Sequence, residues 1–453
     1  MPSIASELGI AQVREADNPR DVLLIFGAVA PILVLHLRAL SFTDTQVGSF
    51  LSLTLVGDVL LSLLVTWTAD SLGRRRVLAG GALLMAMSGV VFYSSTSFVP
   101  LLLAAVVGVV SPTGNEIGPF VAVEIGILSQ LVRPDARVFI LTHHSVIGFV
   151  GTSVGALLSG WIVPALEHQG QGPVASFQAV YLIYTIAALV KFALSLAMSP
   201  ACELDYALKS PVTTPTPQPS SVGDQGANNE RQPLLDGLRD DSPSQAAQSV
   251  ADAVLSPPDE IVRPPLPLMR LAVLCVIFSL DSFASSVLPQ SFISYYFRVR
   301  YNAPLGIVAT TFSIGSLVGG LSQLAAGAIA RRLGIILTMV GTHIPAQIFT
   351  IAIAFAPSLA VALTLFIARA TIASMDAGVR GAFLTASVPP ASRTRFLGIM
   401  NVCKTIASAP GPTLTGQLAS MGMLRWSFAV CGGLKIVYDI ALLIGFMEHN
   451  LQH

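Results

Sequence analysis

Apolar residues along the chain gather into long runs separated by short polar punctuation. The runs fall at 21 to 41, 46 to 68, 77 to 97, 100 to 131, 138 to 165 and 176 to 198. They resume at 268 to 297, 304 to 330, 334 to 356, 358 to 388, 396 to 419 and 425 to 447. About 20 apolar residues, wound as a helix, cross the hydrocarbon core of a bilayer. Each run is therefore a candidate membrane-spanning helix, and the pattern predicts twelve. Several runs exceed the minimum, which implies tilted helices or ends that project beyond the lipid. Gly and Pro inside them are tolerable because neighbouring helices can satisfy the freed backbone groups.

Between the sixth and seventh runs the pattern stops. Residues 200–267, with stretches such as Pro211 to Ser221 and Asp240 to Gln248, are rich in Pro, Ser, Gln, Asp and Thr. Too little apolar surface is present there to offset the entropy of ordering the chain, so a disordered cytosolic linker is expected. The resulting division is residues 1–199 as one six-helix bundle, 200–267 as linker and 268–453 as a second six-helix bundle. The halves also resemble each other. Val132 to Gly160 lies without gaps on Val388 to Gly416, placing Pro134 on Pro390, Arg137 on Arg393, Gly155 on Gly411 and Gly160 on Gly416. Ala69 to Arg76 similarly sits beside Ala330 to Gly334. A duplication of six spans accounts for both pairings, and internal repeats of this kind characterise secondary transporters.

Composition agrees with a bilayer as solvent: 53% of the residues are hydrophobic and 11% charged. The formal net charge is zero, so nothing favours nucleic acid as a partner. Cys202, Cys275, Cys403 and Cys431 are scattered, without the spacing of zinc or redox motifs, and read as small core residues. No metal or cofactor is expected. Arginines set the orientation. Arg74, Arg75, Arg76, Arg133, Arg137, Arg331, Arg332, Arg393 and Arg395 fall on one side, against Arg38, Arg298, Arg300 and Arg425 on the other, which places both termini in the cytosol. The first twenty residues lack the apolar core of a signal peptide, so the first helix is expected to act as its own insertion signal.

The loop between the second and third runs reads ADSLGRRRVL, from Ala69 to Leu78. It resembles the cytosolic signature of the major facilitator superfamily: a small residue, Asp, two spacers, Gly and a basic cluster. Asp70, Gly73, Arg74 and Arg75 match, and Thr66 stands where a glycine usually opens the motif. The resemblance implies an all-α fold of twelve helices in two pseudo-symmetric six-helix bundles, acting as a monomer, and the chain is expected to be a eukaryotic, fungal-type member. It also implies that Asp70 and the arginines gate the carrier by locking helices together in one conformation. Many proton-coupled members carry an arginine in the fourth span; here that span has no basic residue and carries Glu116 and Glu124.

Ionisable groups at membrane depth are costly and usually face a bundle interior or watery cavity, which makes them the first site candidates. Asn115 and Glu116 lie mid-span within SPTGNEIGP, where Pro112, Gly114, Gly118 and Pro119 should loosen the helix. Glu116 ranks first: a carboxylate there could be neutral at one stage of a transport cycle and charged at another. Its structural alternative is a permanent pair with a basic group. Asp281 sits mid-span among small and hydroxylated residues. Arg369, Asp376 and Arg380 are spaced by seven and four, near one helical face. A cation there either meets an anionic group of a solute or neutralises a fixed acid, and we read the set as the second because Asp376 and Arg380 can pair directly. His143, beside His144 near the end of the fifth span, could relay protons. The two adjacent histidines diverge on a helix and do not make a metal site. Asp58, and Lys435 with Asp439 at i, i+4, read as structural; Lys191 would snorkel or pair.

One short motif stands in the linker. ERQPLL, with Glu230, Leu234 and Leu235, resembles the acidic dileucine signal that clathrin adaptors read for delivery to vacuoles or lysosomes. The expected function is secondary active transport of a small organic solute, proton-linked, at a vacuolar or other endomembrane or at the plasma membrane. The alternative is a receptor that binds a solute on the same fold without moving it. No nucleophile with a base emerges, so an enzyme is not expected.

Overall fold

The computed structural model describes residues 27–108, 110, 123–128, 132, 137–199, 202–203, 268–388 and 393–446, and all regular structure among them is helical. The first half supplies α1 (Leu33–Ala39), α2 (Asp44–Leu72), α3 (Arg74–Ser94), α4 (Phe98–Val107), α5 (Arg137–His168) and α6 (Pro173–Ala197), together with a helical stretch at 123–128. The second half supplies α7 (Leu268–Val287), α8 (Gln290–Tyr301), α9 (Leu305–Leu333), α10 (Ile335–Ala354), α11 (Leu359–Ala373), α12 (Asp376–Ala386), α13 (Arg393–Ser408), α14 (Gly411–Ser420) and α15 (Trp426–Phe446). Among the described residues, nine segments are long and apolar enough to cross a membrane. The positions of the other three runs are held by α1, the shorter apolar α4 and the α13–α14 pair. Large apolar side chains such as Leu60, Val276 and Ile444 stand on the outer surface, where lipid would cover them.

Three spans of the second half are broken. The seventh separates into α7 and α8 at Leu288 and Pro289, the tenth into α11 and α12 at Ser374 and Met375, and the eleventh into α13 and α14 at Ala409 and Pro410. Proline lacks the N–H that would continue the ladder, which accounts for two of the breaks. Broken spans are tolerated in a membrane where protein or a watery cavity covers the freed backbone groups.

One end of the molecule carries the turns at Ser41, Asn302 and Gly422, and the other those at Gly73 and Gly334. At the Ser41 end a single apolar core joins both halves. Phe50, Phe92 and Tyr181 of the first half share it with Phe292, Phe297, Phe312, Phe366 and Phe428 of the second. At the Gly334 end the second half keeps a separate core of α7, α10, α12, α13 and α15 around Phe278, Met339, Phe383 and Tyr438. Gly73 (φ 94°) and Gly334 (φ 83°) make the sharp turns into α3 and α10, at a backbone conformation that favours glycine.

Within the first half, α3 packs along α6. Lys191 on α6 reaches Glu124 at 3.1 Å, with both side chains almost wholly buried. Two such charges offset each other's desolvation only while both are present. Lys191→Met is expected to cost on the order of 3–5 kcal/mol, and adding Glu124→Gln to recover most of it. Thermal midpoints of the detergent-solubilised variants check this; a double variant no more stable than Lys191→Met would refute the pairing.

Candidate functional site

The halves meet along two seams. On one, α5 runs against α9, with Ser145 Oγ donating to Gln323 Oε1 at 3.2 Å and Ser153 Oγ 2.5 Å from Ser313 Oγ. On the other, α2 runs against α14, where Thr413 donates to Ser52 Oγ from its backbone N–H at 2.9 Å and its hydroxyl at 2.7 Å. Gly48 and Gly416 let these two backbones touch: a Cβ on Gly48 would lie 2.6 Å from Pro412 O and 2.9 Å from Gly416 Cα. At the Ser41 end, Asp44 Oδ1 accepts from Tyr295 at 2.9 Å and lies 3.2 Å from Arg38 Nε, tying α2 to α8. That end is closed.

Beyond the closed end lies a cavity of about 680 Å³, within the range of small-molecule sites. Asp58, Val59, Ser62 and Leu63 on α2 and Phe149 on α5 form the first-half wall. The second-half wall includes Asp281, Ser285, Ser316, Arg369, Ser374, Arg380, Asn401 and Lys404. Asp58 is six residues past Ser52 on α2, about 9 Å further along the helix. The breaks in the seventh, tenth and eleventh spans place Leu288, Pro289, Ser374 and Ser408 in this wall, so turn backbone faces the cavity where a continuous helix would have hidden it.

A charge network braces the second-half wall. Asp281 accepts from Lys435 Nζ at 2.9 Å and from Arg380 Nη1 at 2.8 Å, and Arg380 also pairs with Asp376, its Nε 3.0 Å from Oδ2. Two acids and two bases thus balance across α7, α12 and α15. The Arg380 guanidinium also lies 5.9 Å from the Phe278 ring and 6.0 Å from Tyr438. Behind this group His343 Nδ1 contacts the Asp439 carboxylate at 2.9 Å. The sequence reading of Lys435 with Asp439 as an i, i+4 pair is therefore corrected: each side chain reaches across to another helix, Lys435 to Asp281 on α7 and Asp439 to His343 on α10.

Arg369 and Asp58, on facing cavity walls, form no ion pair among the described residues. Arg369 has its Nε shielded from solvent, without a hydrogen-bond partner there. Its guanidinium stands 5.9 Å from the Phe366 ring. Among the described residues it is Arg380, and not Arg369, that meets Asp376. Asp58 on the facing wall likewise has an Oδ1 that is shielded and unpartnered among the described residues. Sequence reasoning assigned Asp58 a structural role and missed it; an isolated acid in an apolar run was the available signal. His143 is exposed on α5 and is not among the residues lining the cavity. Asn115 and Glu116 lie outside the described residues, as do Glu230, Leu234 and Leu235.

At the Gly73 end, the Glu203 carboxylate accepts the backbone N–H groups of Arg74 at 2.7 Å and Arg75 at 3.2 Å, at the start of α3 where helix N–H groups need acceptors. Arg75 Nη2 donates to Leu196 O at 2.8 Å near the end of α6. The expected gating loop is thus tied to the sixth span by Arg75 and to Glu203 beyond it by Arg74 and Arg75; the Asp70 side chain lies outside what is described. Glu203 was not singled out from the sequence, which placed it in the linker; of that segment only Cys202 and Glu203 are described.

The sequence profile of the Major Facilitator Superfamily matches residues 22–378. The chain belongs to the major facilitator superfamily. Membership makes it a multi-pass membrane transporter and not an enzyme. An uncharacterized membrane protein of Saccharomyces cerevisiae is 32% identical over 429 residues, covering 94% of this chain and 91% of that protein. Among solved superfamily structures, a D-xylose–proton symporter superposes with a TM-score of 0.66 at 15% identity, over 96% of this chain and 97% of its own. The nucleoside transporter NupG gives 0.64 at 16%, over 96% and 98%. An inward-facing, occupied bacterial homologue of the human lysosomal transporter Spinster gives 0.66 at 14%, over 98% of both chains. At such identities these structures establish the fold alone.

Proposed function

We propose that the protein moves a small organic solute across a vacuolar or other endomembrane, or the plasma membrane, by alternating access linked to protons. The observation that carries this reading is the cavity: both halves line it, both halves seal it at the Ser41 end, and charges without an ion pair among the described residues, Asp58 and Arg369, face it. Rocking the halves about such a site exposes it to each side in turn. The arginine distribution supports a cytosolic Gly73 end, with both termini there. The acidic dileucine at Glu230, Leu234 and Leu235 supports delivery to an endomembrane by a clathrin adaptor.

A carboxylate that pairs with nothing can take up or release a proton without breaking a salt bridge. Among the described residues Asp58 meets that condition in the cavity wall, and Glu116 remains the proposed carrier in the fourth span. In proteoliposomes, Asp58→Asn or Glu116→Gln is expected to keep solute exchange down its gradient while losing at least tenfold in proton-driven accumulation. Full accumulation in both variants would remove proton coupling through these groups.

Metabolite profiling of deleted and overexpressing cells, with vacuoles fractionated separately, identifies the solute. Retention in deleted cells supports efflux, and loss from their vacuoles supports a vacuolar carrier reached through the dileucine. Solute binding without flux in proteoliposomes would replace transport by reception.

A further inference from the structure

Three cations line the cavity among the described residues: Arg380, Lys404 and Arg369. Arg380 lies between Asp281 and Asp376, and Lys404 has an interaction of its own. Arg369 joins no ion pair among the described residues, and its Nε is cut off from solvent without an acceptor there. The guanidinium stands over the Phe366 ring, in the last turns of α11 before the break at Ser374. A charge kept at membrane depth without a counter-charge is costly, and a binding cavity that holds one regains that cost when a counter-charge arrives. A guanidinium offers a planar fork of donors that matches an oxyanion in two parallel hydrogen bonds. Hydroxyls of Ser282, Ser285, Ser316 and Ser374 stand in the same wall to take the solute's polar remainder. A cationic solute would meet repulsion here, and a neutral one would leave Arg369 unanswered.

We infer that the transported solute is an organic anion whose oxyanion group, a carboxylate or phosphate ester, binds Arg369. This deepens the transport reading and rests on it. An anion accompanied by one proton on Asp58 would also cross as a neutral set.

The test uses the full chain in proteoliposomes, given a mixture of small mono- and dicarboxylates and phosphate monoesters. Each anion is present beside its neutral amide or alcohol, and uptake is read by mass spectrometry. At least one anion is expected to accumulate tenfold or more over its neutral counterpart. Arg369→Gln should lower that uptake by about a hundredfold, the size of a lost charge-assisted hydrogen-bond pair, and Arg369→Lys should retain part of it. Accumulation confined to carboxylates or to phosphate esters decides which oxyanion is bound.

Without ligand, the Arg369→Gln protein should be at least as thermally stable as the wild type, since no partner is orphaned. Neutral compounds entering as well as the anions, entry of no anion, undiminished anion uptake in Arg369→Gln, or a lower unliganded thermal midpoint for that variant would each overturn the inference. Anions that raise the wild-type midpoint yet never enter would keep the anion site and sink transport. Entry of neutral compounds alone would do the reverse.

Discussion

Gly48→Leu is expected to abolish transport while leaving the protein folded. The seam between α2 and α14 closes only because neither Gly48 nor Gly416 carries a side chain; a Cβ on Gly416 would lie 2.8 Å from Gly48 Cα, and one on Gly48 2.6 Å from Pro412 O. These neighbours are backbone atoms, so no rotamer change relieves the clash. The helices must part, taking with them the Ser52–Thr413 hydrogen bonds and the Asp44–Tyr295 contact. Because the clash is between halves and not inside one, each bundle keeps its packing. The expected readouts are a fall in solute flux of at least tenfold and stronger labelling of a cavity cysteine from the Ser41 side, with Gly48→Ala intermediate. Wild-type flux in Gly48→Leu would show that this end need not close.

Asp281→Ala should destabilise the second half by on the order of 3–5 kcal/mol, because Lys435 would lose the acid that it is bound to and Arg380 one of its two. Lys435→Met errs in the opposite direction, leaving two acids for Arg380. The double variant keeps Arg380 with Asp376 and restores neutrality. Its thermal midpoint is therefore expected to exceed that of Asp281→Ala, a strong departure from additivity among residues of one network. A double variant less stable than either single one would mean that the network is held by something other than charge balance.

The spans were legible in the sequence because apolar length is a direct consequence of lipid as solvent: the run at 138 to 165 appears as Arg137–His168, and that at 425 to 447 as Trp426–Phe446. The duplication carried more than topology. Gly160 and Gly416, aligned by sequence alone, occur on opposite seams, where Gly160 abuts Ala309 and Gly416 abuts Gly48.

Interior pairing was much less legible. Spacing along one helix suggested Lys435 with Asp439, whereas the contacts made are Lys435 to Asp281 and Asp439 to His343. Periodicity reports faces of a continuous helix: it put Arg369 and Arg380 near one face, and both line the cavity, but it does not say which acid each meets. Asp58 was missed for a related reason: helix rotation, which sequence does not give, decides whether an acid meets a partner or a cavity.

The central claim is that the cavity opens alternately to the two sides, and cysteine accessibility tests it without knowing the solute. In a chain whose four cysteines are replaced by alanine, Ser285→Cys places a thiol in the cavity wall. Ser52→Cys with Thr413→Cys places a second pair across the closed end, where the native hydroxyls are 2.7 Å apart. With the pair reduced, a membrane-impermeant thiol reagent should label position 285 from both sides. With the pair oxidised, labelling from the Ser41 side should vanish and that from the Gly73 side persist. Labelling from the Ser41 side that survives a complete cross-link, or that never occurs in the reduced protein, would contradict alternating access.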